Sequence, residues 1–258
     1  RTDEIYKEQS VMLAGLKQAA ENHVWQASKA FNAAIYHQTP AALPIDGLPE
    51  TLAKISPEQV QDFYRNYYRP QGALLTFSGA LEKQSHNPEA FLEQLLPWQP
   101  GAQNTAPEVQ FQLQDRFIYR HIDVPERDQC AVFLGHLGVS RLDPDFLHLL
   151  VLDVILGNGP GFSARIPRVL RDQRGLAYHV SYAATHGCHL WPGVVQAQLD
   201  CAPEKVLTCV QGLLDEIRRV QKEGVTLAEL SAAKAYLRGR FVFHFETNAQ
   251  RVAYMMQQ

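Results

Sequence analysis

Residues 161–180, GFSARIPRVLRDQRGLAYHV, decide how this chain is read, because they turn a helical pattern into a strand within a few residues. Phe162, Ile166, Val169 and Leu170 recur at helical spacing up to Gln173, and Gly175 is the residue type that ends a helix in a left-handed turn. Pro167 falls inside the pattern and predicts a kink or a break into two short helices. After the glycine, LAYHVSYAAT reads as a strand. The two stretches 176–187 and 192–201 read as a hairpin. The corner therefore places Arg171 in a last helical turn and Tyr178, seven residues later, at the start of a strand.

Working outward, residues 4–36 carry helical periodicity in two helices that meet near Glu21 and Asn22. The stretch HQTPAALPIDG, 37–47, is a loop, and a short helix follows from Pro49. Ser56-Pro57-Glu58-Gln59 is a helix start with its own capping box. Beyond it Phe63, Tyr64, Tyr67 and Tyr68 form a stripe expected to be core plus rim. ALLTFSGAL from Ala73 predicts a buried strand, and Asn87-Pro88 opens another helix to about Leu96. Residues 97–107 are rich in Pro, Gln, Gly and Asn and read as a linker. RFIYRHIDV (116–124) and QCAVFLGHLGV (129–139) predict two strands around the turn PERD. Asp143-Pro144 opens a helix whose apolar face runs to Gly157, a helix spans about 203–222, and Thr226 to Glu229 is a second capping box.

This order predicts an α+β fold of two related domains, each a mainly antiparallel sheet packed against helices. The first, 1–96, lacks opening strands, 97–114 links, and 115–258 forms the second domain. One strand cannot make a sheet, so a missing segment or another copy is expected to complete the first.

At 258 residues, 46% hydrophobic and 20% charged, the chain has the material for a packed core. A net charge of -3 with scattered Lys and Arg argues against nucleic acid as a partner. No apolar run reaches the roughly 18 residues that span a bilayer. Arg1 is not an initiator and no leader precedes it, which reads as a processed chain, a domain or a fragment. Cys130, Cys188, Cys201 and Cys209 lack C-x-x-C spacing and read as buried thiols, although Cys188 and Cys201 flank the hairpin and could meet in an oxidising compartment.

Zinc hydrolysis calls for H-E-x-x-H or H-x-x-E-H, and neither string occurs. His186, Cys188 and His189 form a local cluster, but at a hairpin turn successive side chains point to different faces. The glycines of 157–161 follow a helix, whereas dinucleotide loops follow strands, so they read as a helix break. His121, His136 and His148 are isolated and read as structural. Two readings remain for Arg171 and Tyr178. They can supply two donors to a developing oxyanion or a peptide carbonyl. Alternatively they are an Arg favouring a helix C-terminus and a Tyr half-buried on a strand, which spacing alone favours.

The ordered run from Asp143 through Leu152, Ile155-Leu-Gly157, FSARIPRVLRDQRGLAYHV, the hairpin, Lys222-Glu-Gly224 and TLAEL from Thr226 resembles the non-zinc domain of the pitrilysin/insulinase zinc metallopeptidases, the inverzincins. VMLAGLKQ from Val11, PIDG from Pro44, ISPEQVQDFYRNYYRP from Ile55 and LLTFSG from Leu74 resemble the later part of the zinc-bearing domain. The resemblance implies that Arg171 and Tyr178 hold the scissile carbonyl at a zinc site in the other half of a clamshell. It places the family's two histidines upstream of Arg1 and its glutamate ligand on Gly15, in an Ala14-Gly15 pair where active members carry two glutamates. Glycine offers a metal no side chain, so this chain is expected to bind no cofactor itself, with zinc on an active partner or half.

The resemblance thus implies a degenerate, non-catalytic member that binds peptide or unfolded polypeptide as an added β-strand, assists a catalytic zinc-bearing partner and forms a dimer. Two other readings stay open: a fragment of an active zinc metalloendopeptidase with H-x-x-E-H upstream, and a structural relative like core subunits of respiratory complexes. The residues do not fix a compartment, whereas the resemblance implies a periplasmic or otherwise exported protein.

Overall fold

The computed structural model describes residues 2–69, 73–79, 101, 108–160 and 163–256. Two compact units interleave along the chain. One takes 14–48 and 109–237, and the other takes 1–13, 49–108 and 238–258.

The larger unit is built on a three-stranded antiparallel sheet of order β1-β3-β2, with β1 Cys130–Leu137, β2 His179–His186 and β3 Val194–Cys201. The hairpin forms as its sequence predicts. It pairs His179 with Asp200 and Tyr182 with Ala197, with a bulge between Ala183 and His186. Alternation sets the faces: Val180, Tyr182 and Ala184 of β2 and Ala197, Leu199 and Cys201 of β3 all point into one core. Helix α5 (Phe146–Leu156), the 165–173 segment and helix α6 (Val206–Glu223) supply its other side through Leu156, Ile166, Leu170, Cys209 and Leu213. The opposite face of β1 meets α2 (His23–Ile35), where the rings of Phe31 and Phe133 lie 5.9 Å apart. A smaller cluster of Val154, Ile155 and Ala233 joins α5 to helix α7 (Leu227–Phe241).

Local signals explain the ends of these elements. Helix α1 (Thr2–Ala20) stops where α2 begins, and the Asn22 side chain accepts the Trp25 N–H at 3.1 Å. Asp143 Oδ1 accepts the Asp145 N–H at 2.9 Å just ahead of α5. Gly224, at φ 72, closes α6. The Thr226–Glu229 box opens α7 as its sequence predicts, with the Glu229 N–H donating to Thr226 Oγ1 at 3.2 Å and Glu229 Oε2 accepting the Thr226 N–H at 2.9 Å.

In the other unit, α3 (Pro49–Leu52) and α4 (Pro57–Tyr67) follow the expected short helix and capping box, with both Ser56–Gln59 bonds present. The Gln9 amide donates to Leu52 O at 2.7 Å and Ile55 O at 3.0 Å. Helix α8 (Asn248–Met256) closes on Phe241 and Phe245 through the Tyr254 ring.

Three expectations are corrected. Residues 73–79 form no strand, and 116–124, with Phe117 and Tyr119 largely exposed, form none either. An alternating pattern specifies a face but no partner, and without a ladder the backbone groups turn to solvent. The Phe63, Tyr64, Tyr67 and Tyr68 stripe is a surface feature: all four are about half exposed, and they stack in pairs at 4.5 Å and 5.1 Å. The expected helix near 87–96 and most of the expected linker lie outside the described residues. No helix among those described is long and apolar enough to cross a membrane.

Candidate functional site

Pro167 breaks the helical run as expected, but the break takes a particular form. A single turn, Arg165–Pro167, leads into a π-helical stretch, Arg168–Gln173. Pro167 falls in the first turn, where its missing N–H would have had no partner, and the Arg168 N–H still bonds Ala164 O at 3.1 Å; beyond it the wider turn satisfies the later donors. The Arg174 N–H reaches back five residues to Val169 O at 3.1 Å, and the Leu176 N–H bonds Leu170 O at 2.8 Å. Gly175, at φ 56, makes the left-handed turn that releases the chain into β2.

Ile166 and Leu170 are fully buried and pin this segment into the core. A Cβ on Gly212 of α6 would stand 2.6 Å from Leu170 Cδ2, so glycine is what lets the helix close on the turn. Arg171 comes directly after the buried leucine and is partly exposed. Its Nε donates to Asp172 Oδ1 at 2.9 Å. Tyr178 immediately precedes β2. Its backbone N–H is fixed by Asp200 O at 2.9 Å, while its side chain is 80% exposed. The corner thus presents a guanidinium and a phenol from rigid, core-anchored backbone, one on either side of Gly175.

Two buried charged groups are not legible as motifs, one at the entry to this corner and one at the far end of β2. Arg165 is buried, and its Nε and Nη2 each donate at 2.6 Å to the two carboxylate oxygens of Glu229. Glu229 therefore serves the capping box and this fork at once. The guanidinium and the Thr226 donors hold its carboxyl down at about 2, while Glu229, Glu216 and Glu223 keep Arg165 firmly charged. Asp153 is the second. It is almost fully buried and takes hydrogen bonds from the Ala184 N–H, the Thr185 N–H and the Thr185 hydroxyl, filling the gap that the β2 bulge leaves in the ladder. Burial pushes its carboxyl up despite these donors. The signal was present: an acid four residues after Leu149 and three before Leu156 sits on the buried stripe of α5 and must find donors there.

The expected zinc-ligand position fares differently. Gly15 lies on an exposed face of α1, and a Cβ built there would meet nothing within 4 Å. Glu8, in the same helix, stands roughly 10 Å away along the axis, and Glu21 lies in the turn beyond it. Among the described residues no three His, Cys, Asp or Glu side chains are grouped to hold a metal ion, so they do not fit a zinc site. At the hairpin, Cys188 turns inward and its thiol donates to Val139 O at 3.0 Å, whereas His186 and His189 face solvent. Those three do not converge. Cys188 at the tip and Cys201 at the base also lie at opposite ends of β3, roughly 20 Å apart, so the bridge considered from sequence does not form. His121, His136 and His148 are exposed, and His136 Nδ1 approaches Leu137 O at 2.8 Å. Gly157 does end α5, and its own Cβ would fall 1.9 Å from Tyr182 O, so it serves packing against β2.

Known proteins share this architecture. An uncharacterized zinc protease of Streptomyces coelicolor is 27% identical over 212 residues, covering 79% of this chain and 44% of the relative. A solved peptidase M16 inactive domain from Pseudomonas fluorescens superposes with a TM-score of 0.81 at 24% identity, over 98% of this chain and 59% of that one. A protease from Helicobacter pylori gives a TM-score of 0.83 at 17% identity, over 100% of this chain and 63% of that one. Both structures share the fold, and the chain spans less than two thirds of each of these three proteins. The model of the peptidase M16 inactive domain matches residues 54–237, which take in the sheet, the π-helical corner and the Arg165–Glu229 fork. The chain with this corner therefore belongs to the peptidase M16 inactive-domain family.

Proposed function

We propose that this chain is the non-catalytic half of a pitrilysin-type zinc peptidase. It binds extended peptide and contributes Arg171 and Tyr178 to a zinc site carried by a partner or by another part of a longer protein, with 115–258 acting as the non-zinc domain. The observation that carries the proposal is the corner itself: a buried Leu170 and a left-handed Gly175 fix the backbone, and a guanidinium and a largely exposed phenol stand on either side of that glycine. Such donors are suited to a carbonyl oxygen that gains charge during attack, and the core-anchored backbone that carries them limits reorganisation at that moment. Gly15, which supplies no ligand, supports placing the metal elsewhere.

The test uses a zinc-bearing M16 peptidase from the same source, mixed or co-expressed with this chain, and a fluorogenic peptide. Adding the chain is expected to raise cleavage. Arg171→Ala and Tyr178→Phe are expected to lower kcat/KM by roughly tenfold to a thousandfold, the range seen when one oxyanion donor is removed. Cleavage unaffected by Arg171→Ala would leave a structural role, as in a core subunit. A second reading is favoured by the short span of the chain against relatives named zinc proteases: a fragment of an active metalloendopeptidase. Cleavage by the chain alone, abolished by a chelator, would establish that reading.

A further inference from the structure

Three of the four thiols gather at one end of the sheet. Cys130, the first residue of β1, is the direct cross-strand partner of Cys201, the last residue of β3. Opposed residues in an antiparallel pair carry their side chains on the same face with Cα atoms about 4.5 to 5.5 Å apart, inside the roughly 4.4 to 6.8 Å that a disulfide requires. Cys201 in turn lies beside Cys209 of α6 in the same core, and the Cys209 thiol donates to Leu176 O at 3.4 Å. Accessibility separates the three. Cys201 and Cys209 are 2% and 0% exposed, whereas Cys130 is only partly covered.

We infer that Cys130 and Cys201 form an oxidation site, in which Cys130 meets a peroxide from solvent and Cys201 resolves it into a cross-strand disulfide. The chemistry balances in two steps. The Cys130 thiolate attacks one oxygen of hydrogen peroxide, the O–O bond breaks and hydroxide leaves, which takes a proton to become water. Cys130 is then a sulfenic acid. The Cys201 sulfur displaces hydroxide from it, the S–O bond breaks, the S–S bond forms, and the proton lost by Cys201 leaves as a second water. Two thiols lose two electrons in all and one peroxide gains them.

Burial raises the Cys201 thiol, with Cys209 beside it adding to the effect, so Cys201 is the slow resolving partner rather than the first to react. Cys209 is sealed from an oxidant by the core, and Cys188 sits at the far end of β3. The bond encloses everything from β1 to the end of β3, including Arg171 and Tyr178. It ties an edge strand to the central one.

The test is treatment of the purified chain with hydrogen peroxide, followed by alkylation and peptide mapping without reduction. A Cys130–Cys201 linked peptide is expected, absent in Cys130→Ser and retained in Cys209→Ser. The oxidised protein should melt roughly 5 °C or more above the reduced one, and reduction should reverse the shift. A Cys201–Cys209 link, a link only between two copies, or Cys130 recovered fully alkylated after oxidation would each overturn the inference. Because no step involves zinc or peptide, these outcomes are independent of the proposed peptidase role.

Discussion

Glu229 shows how much a single carboxylate can carry. It caps α7 through Thr226 and forks onto the buried Arg165 at the entry to the corner. Its carboxyl is held at about 2 against an ordinary 4.5, so its contribution to folding is complete above about pH 4.5 and is lost as pH falls toward 2. Asp153 acts in the opposite sense, because its raised carboxyl takes up a proton more readily in the folded chain than in the unfolded one. Glu229→Gln is expected to cost about 1 to 3 kcal/mol at neutral pH, since the buried guanidinium loses its charged partner. It should also flatten the fall in stability between pH 5 and 2.5. Urea unfolding across that range checks both outcomes, and a variant with the same acid slope as the parent would show that Arg165 is held by other groups.

Among the elements, the π-helical turn and the bulged strand β2 are where regular structure is interrupted, and both interruptions have assigned donors. The Arg174 and Leu176 N–H groups close the first, and Asp153 closes the second. Helix α5 reaches β2 closely enough to do this only because it ends in Gly157, whose missing side chain admits Tyr182 O. Gly157→Ala is therefore expected to push α5 off the strand and to lower stability by about 1 to 3 kcal/mol, read as a lower urea midpoint with an unchanged slope. Pro167 and Gly175 announced the break and the left-handed exit from composition alone. That the second piece is π-helical, with Leu170 buried against Gly212, was not legible there.

On the scale of the molecule, the two compact units differ in how well the described residues close them. The larger has a continuous apolar core under its sheet. In the other, Leu52 and Pro57 are buried while Val60, Phe63, Leu74, Phe77, Val242 and Phe243 stand exposed. The expected absence of a metal ligand at Gly15 belongs to this scale, because a metal site is assembled from distant parts of a chain. Metal analysis after dialysis is expected to find well under one zinc per chain. One zinc per chain would contradict the placement of the metal on a partner.

The helix starts at Asn22, Ser56 and Thr226, the hairpin and the corner at Gly175 all follow from local spacing, since each depends on residues within a few positions of one another, whereas the family resemblance rests on separate motifs falling in order from Val11 to Thr226. The strands expected at 73–81, of which 73–79 are described, and at 116–124 failed for the complementary reason: a strand exists only with a partner, and no local pattern supplies one. Arg165 with Glu229, Asp153 with the β2 bulge, and Cys130 with Cys201 are separated by tens of residues in the chain. Only the pairing of β1 with β3 and the packing of helices on the sheet brought them together, because the cost of burying a charge or a thiol beside another group is set by the fold and not by the neighbours in sequence.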